Sequence, residues 1–177
     1  MKPFGPGARR LARRWPVLLL LLLLGTGQPA LAQGPQGKPF GLGLTLGEPA
    51  GLSAKLWFDS KSALDMAFGY GFFPHSGPAF FVDYVFHVFT LVRPRRVPFY
   101  LKLYMGAGAK AGVWYYRRND ADRHGFGIGI RFPIGLTMVF TSAPFDVFLE
   151  IVPSMAFVNP DPVYFDFDAA LGGRFYF

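Results

Sequence analysis

Histidine and aspartate are the residue types in this sequence that could act in acid–base catalysis. His87 follows Asp83 by four residues, and a histidine–aspartate pair joined by a serine is an arrangement that serves acyl transfer. On the apolar face of the chain, however, no histidine and serine occur at a spacing that would present both to an acyl chain. We therefore expect no catalytic site, and we interpret His87 as an interior hydrogen-bonding residue.

A pair of carboxylates near the end of the sequence could bind a cation. Asp166 and Asp168 are two residues apart and therefore lie on one face of an extended strand. Arg131 and Arg174 fall on the same face, so an internal salt bridge is the expected state of both aspartates. No metal or other cofactor is predicted. The sequence has no cysteine, which excludes disulfides, thiol catalysis and cysteine-ligated zinc.

The elements that position these residues alternate with a period of two, which is typical of β-strands. Short connections rich in glycine, proline and polar residues separate the alternating segments. Because each connection is short enough for neighbouring antiparallel strands, an up-and-down meander is the simplest topology. Eight strands are predicted, at approximately 40–47, 51–59, 64–72, 80–89, 99–114, 126–140, 145–153 and 163–177.

One face of these strands is apolar and carries no charge, whereas the other face carries glycines and the charged residues. Asp59 lies on the charged face at a strand end and is expected at the rim of the fold. The rest of that face is predicted to form an interior charge network. Its members are Lys55, Asp65, Asp83, His87, Lys102, Lys110, Arg131, Asp146, Glu150, Asp166, Asp168 and Arg174.

Two kinds of closed barrel are compatible with such strands. A soluble lipocalin-like barrel directs its apolar face inward around a ligand, whereas an outer-membrane barrel directs it outward into lipid. An inward apolar face would crowd more than a dozen phenylalanine and tyrosine rings into an eight-stranded interior that barely accommodates ordinary side chains. We therefore predict the outward arrangement, with paired charges filling the interior and no open aqueous pore.

The first 32 residues have the three parts of a secretory signal peptide: basic residues, a leucine-rich run and the small-residue cleavage site Ala30-Leu31-Ala32. We expect cleavage after Ala32, a short periplasmic lead-in at 33–39 and the barrel at 40–177. An uncleaved anchor helix is the alternative, but the leucine run is too short to span a membrane. The leader holds five of the 18 basic residues and no acidic one, so its removal lowers the formal net charge from +7 to +2. A nucleic-acid partner is therefore not predicted.

The signal peptide, the amphipathic strands and the terminal Arg174-Phe175-Tyr176-Phe177 resemble the small eight-stranded outer-membrane barrels of the OmpA/OmpX type. Stretches such as GLGLTLGEPAGLSAKLWF, ALDMAFGYGFF and FVDYVFH are similar to a little-characterised family of predicted outer-membrane barrels. The resemblance implies an all-β fold, an eight-stranded antiparallel up-and-down transmembrane β-barrel in the bacterial outer membrane. It also implies that Phe175, Tyr176 and Phe177 form a signal recognised by the outer-membrane assembly machinery.

An even number of strands places both chain termini on the periplasmic side. The most polar external loop then contains Arg117, Arg118 and Arg123, whose guanidinium groups could contact lipopolysaccharide phosphates. An ordinary solvated hairpin tip is an equal interpretation of this loop.

The expected function is that of a non-enzymatic integral outer-membrane protein with a structural or surface-interaction role. Its expected partners are outer-membrane lipid, lipopolysaccharide and the assembly machinery, and it is expected to be a monomer. A soluble exported binding barrel and an envelope lipid-modifying enzyme are the two alternatives.

Overall fold

The computed structural model describes residues 34–71, 77–95, 97–118, 121–158 and 163–177, with the side chains at 114–118, 121–124, 158 and 164 outside the description. The predicted signal peptide at 1–32 also lies outside the described residues. Within the predicted lead-in, a short 3₁₀ turn at Pro35–Gly37 precedes the first strand. The described part of the chain contains no helix that is long and apolar enough to cross a membrane.

Nine antiparallel strands make up the described fold. They are β1 (Phe40–Gly47), β2 (Ala50–Trp57), β3 (Ser62–Gly71), β4 (Gly77–Val92), β5 (Phe99–Arg118), β6 (Ala121–Arg131), β7 (Ile134–Phe140), β8 (Phe145–Val158) and β9 (Tyr164–Tyr176). Consecutive strands pair from β1 to β5, β5 pairs with both β6 and β7, both of these pair with β8, and β9 pairs with β8 and β1. The sheet therefore closes into a ring of eight positions, which confirms the predicted all-β, antiparallel, up-and-down barrel.

The sixth position of the ring contains two strands where the sequence predicts one continuous strand at 126–140. The break falls at Phe132 and Pro133, because proline has no backbone N–H to give to the ladder. Hydrogen bonds continue around the break: Gly106 N–H donates to the Pro133 carbonyl at 2.9 Å, and Phe132 N–H donates to the Pro153 carbonyl at 3.0 Å. The in-and-out alternation is also preserved, with Arg131 buried and Phe132 and Ile134 exposed.

The alternation of β4 changes near its end, at Val88. The pairing of β4 with β5 shifts between His87 and Phe89 and again between Thr90 and Val92. Such irregularities insert an extra residue into one strand and reset which side chains face outward. Phe89 and Leu91 consequently join the exposed apolar face.

The start of β1 and the end of β9 lie together at one end of the barrel, which we call the terminal end. There the Phe177 N–H donates to the Phe40 carbonyl at 2.8 Å, and the turns at 58–61 and 141–144 connect strands. The opposite end, which we call the loop end, is where β1, β3, β5 and β8 end. Several strands extend further than predicted, with β4 reaching Val92 and β8 reaching Val158.

The barrel has an apolar exterior and a charged interior. Large side chains such as Phe165 (76% exposed) and Leu46 (68% exposed) cover the outer face. Lys55, Asp146 and Arg174 are at most 1% exposed. This distribution is the reverse of that in a water-soluble domain, where charged residues are almost never fully buried.

Candidate functional site

Among the described residues, the interior holds three clusters of ion pairs, and the first is centred on Arg174. Register places Arg174 of β9 directly opposite Asp146 of β8, and its Nε donates to Asp146 Oδ1 at 3.2 Å. Its Nη1 donates to Asp65 Oδ1 at 3.0 Å, although Asp65 lies on β3, which does not neighbour β9 in the ring. The guanidinium also lies over the Phe148 ring, 4.1 Å from its centroid. Arg174 thus bridges two carboxylates across the lumen.

Lys55 extends this first cluster towards the terminal end. It lies opposite Asp65 in the β2–β3 ladder, with 3.3 Å between Nζ and Asp65 Oδ2. Its Nζ is also 3.3 Å from His87 Nε2, while His87 Nδ1 is 2.9 Å from the Lys61 carbonyl. An ammonium can only donate and a carbonyl can only accept, so these contacts assign the proton of a neutral His87 to Nδ1.

Two aromatic side chains complete the polar contacts of the first cluster. The Tyr176 hydroxyl donates to Asp146 Oδ2 at 2.6 Å and accepts from Trp57 Nε1 at 3.3 Å. The Trp57 ring stacks on His87 with 4.3 Å between centroids. These rings close the interior around the ion pairs on the side of the terminal end.

The second cluster is centred on Arg131, whose position on the inner face follows from the preserved alternation of β6. Its Nε is 2.9 Å from Asp83 Oδ2, which makes the two groups an ion pair. The geometry of this contact is not that of a hydrogen bond, and neither atom has a hydrogen-bond partner among the described residues. Its Nη2 donates to Glu150 Oε1 at 3.4 Å, and the Tyr104 hydroxyl donates to Glu150 Oε2 at 2.7 Å. Like Arg174, Arg131 lies over a phenylalanine, 3.5 Å from the centroid of Phe81.

Glycines allow residues on strands two positions apart to meet in this cluster. Gly108 of β5 lies between Asp83 of β4 and Arg131 of β6 in the ladder, and a Cβ on Gly108 would be 2.0 Å from Asp83 Oδ1. Gly135 of β7 likewise lies between Tyr104 and Glu150. A Cβ there would be 2.5 Å from Tyr104 Cζ. Each pair therefore forms across a position that only glycine leaves free.

The third cluster lies towards the loop end and is less buried. Lys110 Nζ donates to Asp166 Oδ2 at 2.8 Å and to Asp168 Oδ2 at 3.2 Å. The two aspartates thus share a lysine. Within the described part of the chain, no group of three or more histidine or carboxylate side chains is arranged to hold a metal ion.

Two members of the predicted network, His87 and Lys102, have no carboxylate partner among the described residues. His87 does not contact Asp83, because four residues along a strand separate them by about 13 Å. Lys102 lies at the terminal end, where its Nζ donates to the Ser60 carbonyl at 3.3 Å and lies 5.0 Å from the centroid of the Trp57 ring. No ion pair of Lys102 with a carboxylate is found among the described residues.

The aromatic members of the clusters are absent from the prediction. Tyr104, Phe81, Phe148 and Trp57 are buried on the inner face. Each lies an even number of residues from a charged residue of its own strand, so the parity of the alternation could have identified them.

The predicted C-terminal signal divides between the two faces. Phe175 and Phe177 are exposed outside the barrel, and their rings are 5.3 Å apart. Tyr176 is buried inside, where it binds Asp146. The backbones of Arg117, Arg118 and Arg123 lie in β5 and β6 towards the loop end, and their side chains lie outside the described residues.

Comparison with known proteins supports the fold. The sequence matches no protein-family model and no curated protein. Among solved structures, the chain is similar to the N-terminal β-barrel domain of OprF from Pseudomonas aeruginosa. The TM-score is 0.54 at 16% identity, and the match covers 78% of this chain and 95% of that domain. At this identity the similarity establishes the barrel fold alone.

Gly135→Ala should destabilise the barrel by displacing Tyr104 from Glu150. The added methyl group would overlap the Tyr104 ring, and overpacking of this kind costs about 1–3 kcal/mol of unfolding free energy. Urea unfolding in detergent micelles measures the change. The control is Gly71→Ala. The described atom closest to that methyl group would be Glu48 Oε2 at 2.9 Å, which is the end of a flexible side chain. Equal stability of the two variants would contradict this account of Gly135.

Arg174→Gln should destabilise the barrel more strongly. The substitution leaves Asp146 buried without a cationic partner, and breaking a buried ion pair in this way costs about 3–5 kcal/mol. Adding Asp146→Asn to the same protein removes the uncompensated charge and should recover part of the loss. Arg95→Gln, at an exposed position, is the matched control in the same unfolding experiment. A loss no larger than that of the control would show that the bridge contributes little.

Proposed function

We propose that this chain is a non-enzymatic integral β-barrel protein of the bacterial outer membrane, with a structural or surface-interaction role. The observation that carries the proposal is the closed ring of strands with an apolar exterior and a charged interior. The similarity to the β-barrel domain of OprF and the resemblance of the sequence to OmpA/OmpX-type barrels support it.

The energetics of the exterior favour lipid as its surroundings. Removing a large apolar side chain from water is favourable by about 1.5–3 kcal/mol. The outer face presents such side chains on every strand, including Leu44, Phe68 and Phe167, each more than half exposed. A closed ring also leaves no edge strand with unpaired backbone groups, which is the condition for a sheet to span a bilayer.

The soluble binding barrel is the weaker interpretation, because it requires an apolar interior around a ligand. The interior instead contains Lys55, Arg131, Arg174 and the carboxylates that pair with them. Turning the barrel inside out to satisfy that interpretation would bury the phenylalanines and expose the ion pairs, which is the opposite of the described arrangement.

The lipid-modifying enzyme is also less well supported. His87 is the histidine on which such chemistry would depend, and it is 5% exposed on the inner face. Both of its ring nitrogens have partners, Lys55 and the Lys61 carbonyl. It therefore has no nitrogen available as a base towards an acyl chain outside the barrel.

The three ion-pair clusters together form a plug in this proposal. They are stacked between the terminal end and the loop end, and each joins strands that are not neighbours in the ring. Separating any of these pairs would leave a buried charge uncompensated, at a cost of several kcal/mol. The barrel is therefore proposed to lack an open aqueous pore.

The orientation and partners complete the proposal. The terminal end faces the periplasm, and the exposed Phe175 and Phe177 are read by the assembly machinery before the barrel closes. The loop end faces outward, where Arg117, Arg118 and Arg123 contact lipopolysaccharide phosphates. The barrel functions as a monomer.

Fractionation tests the membrane location. After expression with its leader, the protein should sediment with the outer membrane and resist extraction by carbonate, because its exterior is apolar. In gels run without boiling, it should migrate as a folded barrel whose mobility changes on heating. Recovery as a soluble periplasmic protein, or identical mobility before and after boiling, would contradict the proposal.

Liposome swelling tests the plug. Liposomes that contain the refolded protein should swell in an arabinose solution no faster than protein-free liposomes, because the clusters fill the lumen. Lys110→Ala should leave this result unchanged, since the clusters around Arg131 and Arg174 remain. Swelling that depends on sugar size would identify an open pore and would refute the plug.

A further inference from the structure

The terminal end contains a basin whose charges are not used by the ion-pair clusters. The basin has a volume of about 1050 Å³, at the upper end of the range of roughly 300–1,000 Å³ found for small-molecule pockets. Among the described residues, four cationic side chains line it: Lys61, Arg93, Arg95 and Lys102. Among the described lining residues there is no carboxylate. The basin is therefore a concave site of one sign of charge.

Lys102 is the most buried of these cations. Its side chain is partly buried, its Nζ donates to the Ser60 carbonyl, and it lies over the ring of Trp57. Lys55 lies over the same ring at 4.8 Å, but its charge is paired with Asp65. Lys102 has only neutral partners among these contacts. A partly desolvated cation with neutral partners attracts an anion more strongly than a fully solvated one.

The carboxylate nearest in sequence to the lining residues of the basin forms hydrogen bonds within its own turn. Asp59 lies in the turn between β2 and β3, beside Lys61. Its oxygens accept hydrogen bonds from the Ser62 hydroxyl and from the backbone N–H groups of Lys61 and Ser62. These hydrogen bonds lower the pKa of Asp59, the Ser62 hydroxyl being the largest cause. The carboxylate thus caps its own turn and does not line the basin.

We propose that this basin binds a small soluble polyanion that carries phosphate or carboxylate groups. Two guanidinium forks from Arg93 and Arg95 match the planar oxygens of either group, and the ammonium groups of Lys61 and Lys102 add point charges. Thr90, also in the lining, adds a hydroxyl donor.

The contacts of His87 indicate that the anion would be held and not conducted. His87 lines the inner part of the basin, and both of its nitrogens are occupied. Beyond it, the cations Lys55 and Arg174 are already paired with carboxylates. Among the described residues, the cations without a carboxylate partner therefore lie in the basin, and those deeper in the barrel are paired. This inference does not depend on the membrane location, because the basin is part of the barrel itself.

Isothermal titration calorimetry of the folded protein in detergent tests the proposal with three probes: tripolyphosphate, citrate and micelles doped with phosphatidylglycerol. Saturable binding of tripolyphosphate or citrate is expected, and the stronger of the two identifies the preferred oxyanion. The variant Lys61→Gln/Arg93→Gln/Arg95→Gln should weaken it about tenfold or more, since a single charge-assisted hydrogen bond contributes about 1.5–3 kcal/mol.

The matched control removes the same charge from the opposite end of the barrel, as Arg117→Gln/Arg118→Gln/Arg123→Gln. Its affinity for the soluble anions should stay within about twofold of the unsubstituted protein, because charges separated by more than a Debye length of about 8 Å are screened in physiological salt. Equal weakening in both variants would indicate general attraction and overturn the proposal. Absence of binding to either soluble anion would also overturn it, as would heat released only with the phosphatidylglycerol micelles.

Discussion

The bridge that Arg174 makes between Asp65 and Asp146 is the interaction on which the rest of the interior depends. It joins β3 to β8 and β9, strands that have no backbone hydrogen bonds with β3. The same residues then fix their neighbours, since Asp65 also holds Lys55 and Asp146 also accepts from Tyr176. Closing the ring with charged residues inside requires such bridges, because an unpaired charge in this narrow space would be far costlier than in water.

Glycine sets how closely the partners of these bridges can approach. The β-strands of a small barrel bring residues on alternate strands near one another, but an intervening Cβ would hold them apart. Gly108 and Gly135 remove that obstacle beneath the pairs Asp83–Arg131 and Tyr104–Glu150. The abundance of glycine on the charged face, visible in the sequence, is thus explained by the contacts that form over it.

Much of the architecture follows from alternation alone, because a period of two assigns every strand residue to one of two faces. Alternation alone predicts which residues of β2, β3 and β9 lie on each face, and it predicts the burial of Lys55, Asp65 and Arg174. The split at Pro133 and the shifts near Val88 are less visible, since they depend on which backbone groups find partners in the adjacent strand. Partners across the lumen are harder still: Asp65 and Arg174 are 109 residues apart, and their meeting depends on the stagger of the whole ring.

The division between the two faces also bears on how such a chain changes over time. Positions on the apolar exterior require only an apolar side chain. One aliphatic or aromatic residue can therefore replace another there without a compensating substitution elsewhere. Interior charges are constrained as sets, and a whole set can be exchanged for a different one that balances. A barrel built in this way can drift in nearly every position while its strands still close in the same order. The 16% identity with a barrel domain of similar fold illustrates how few residues two such barrels need in common.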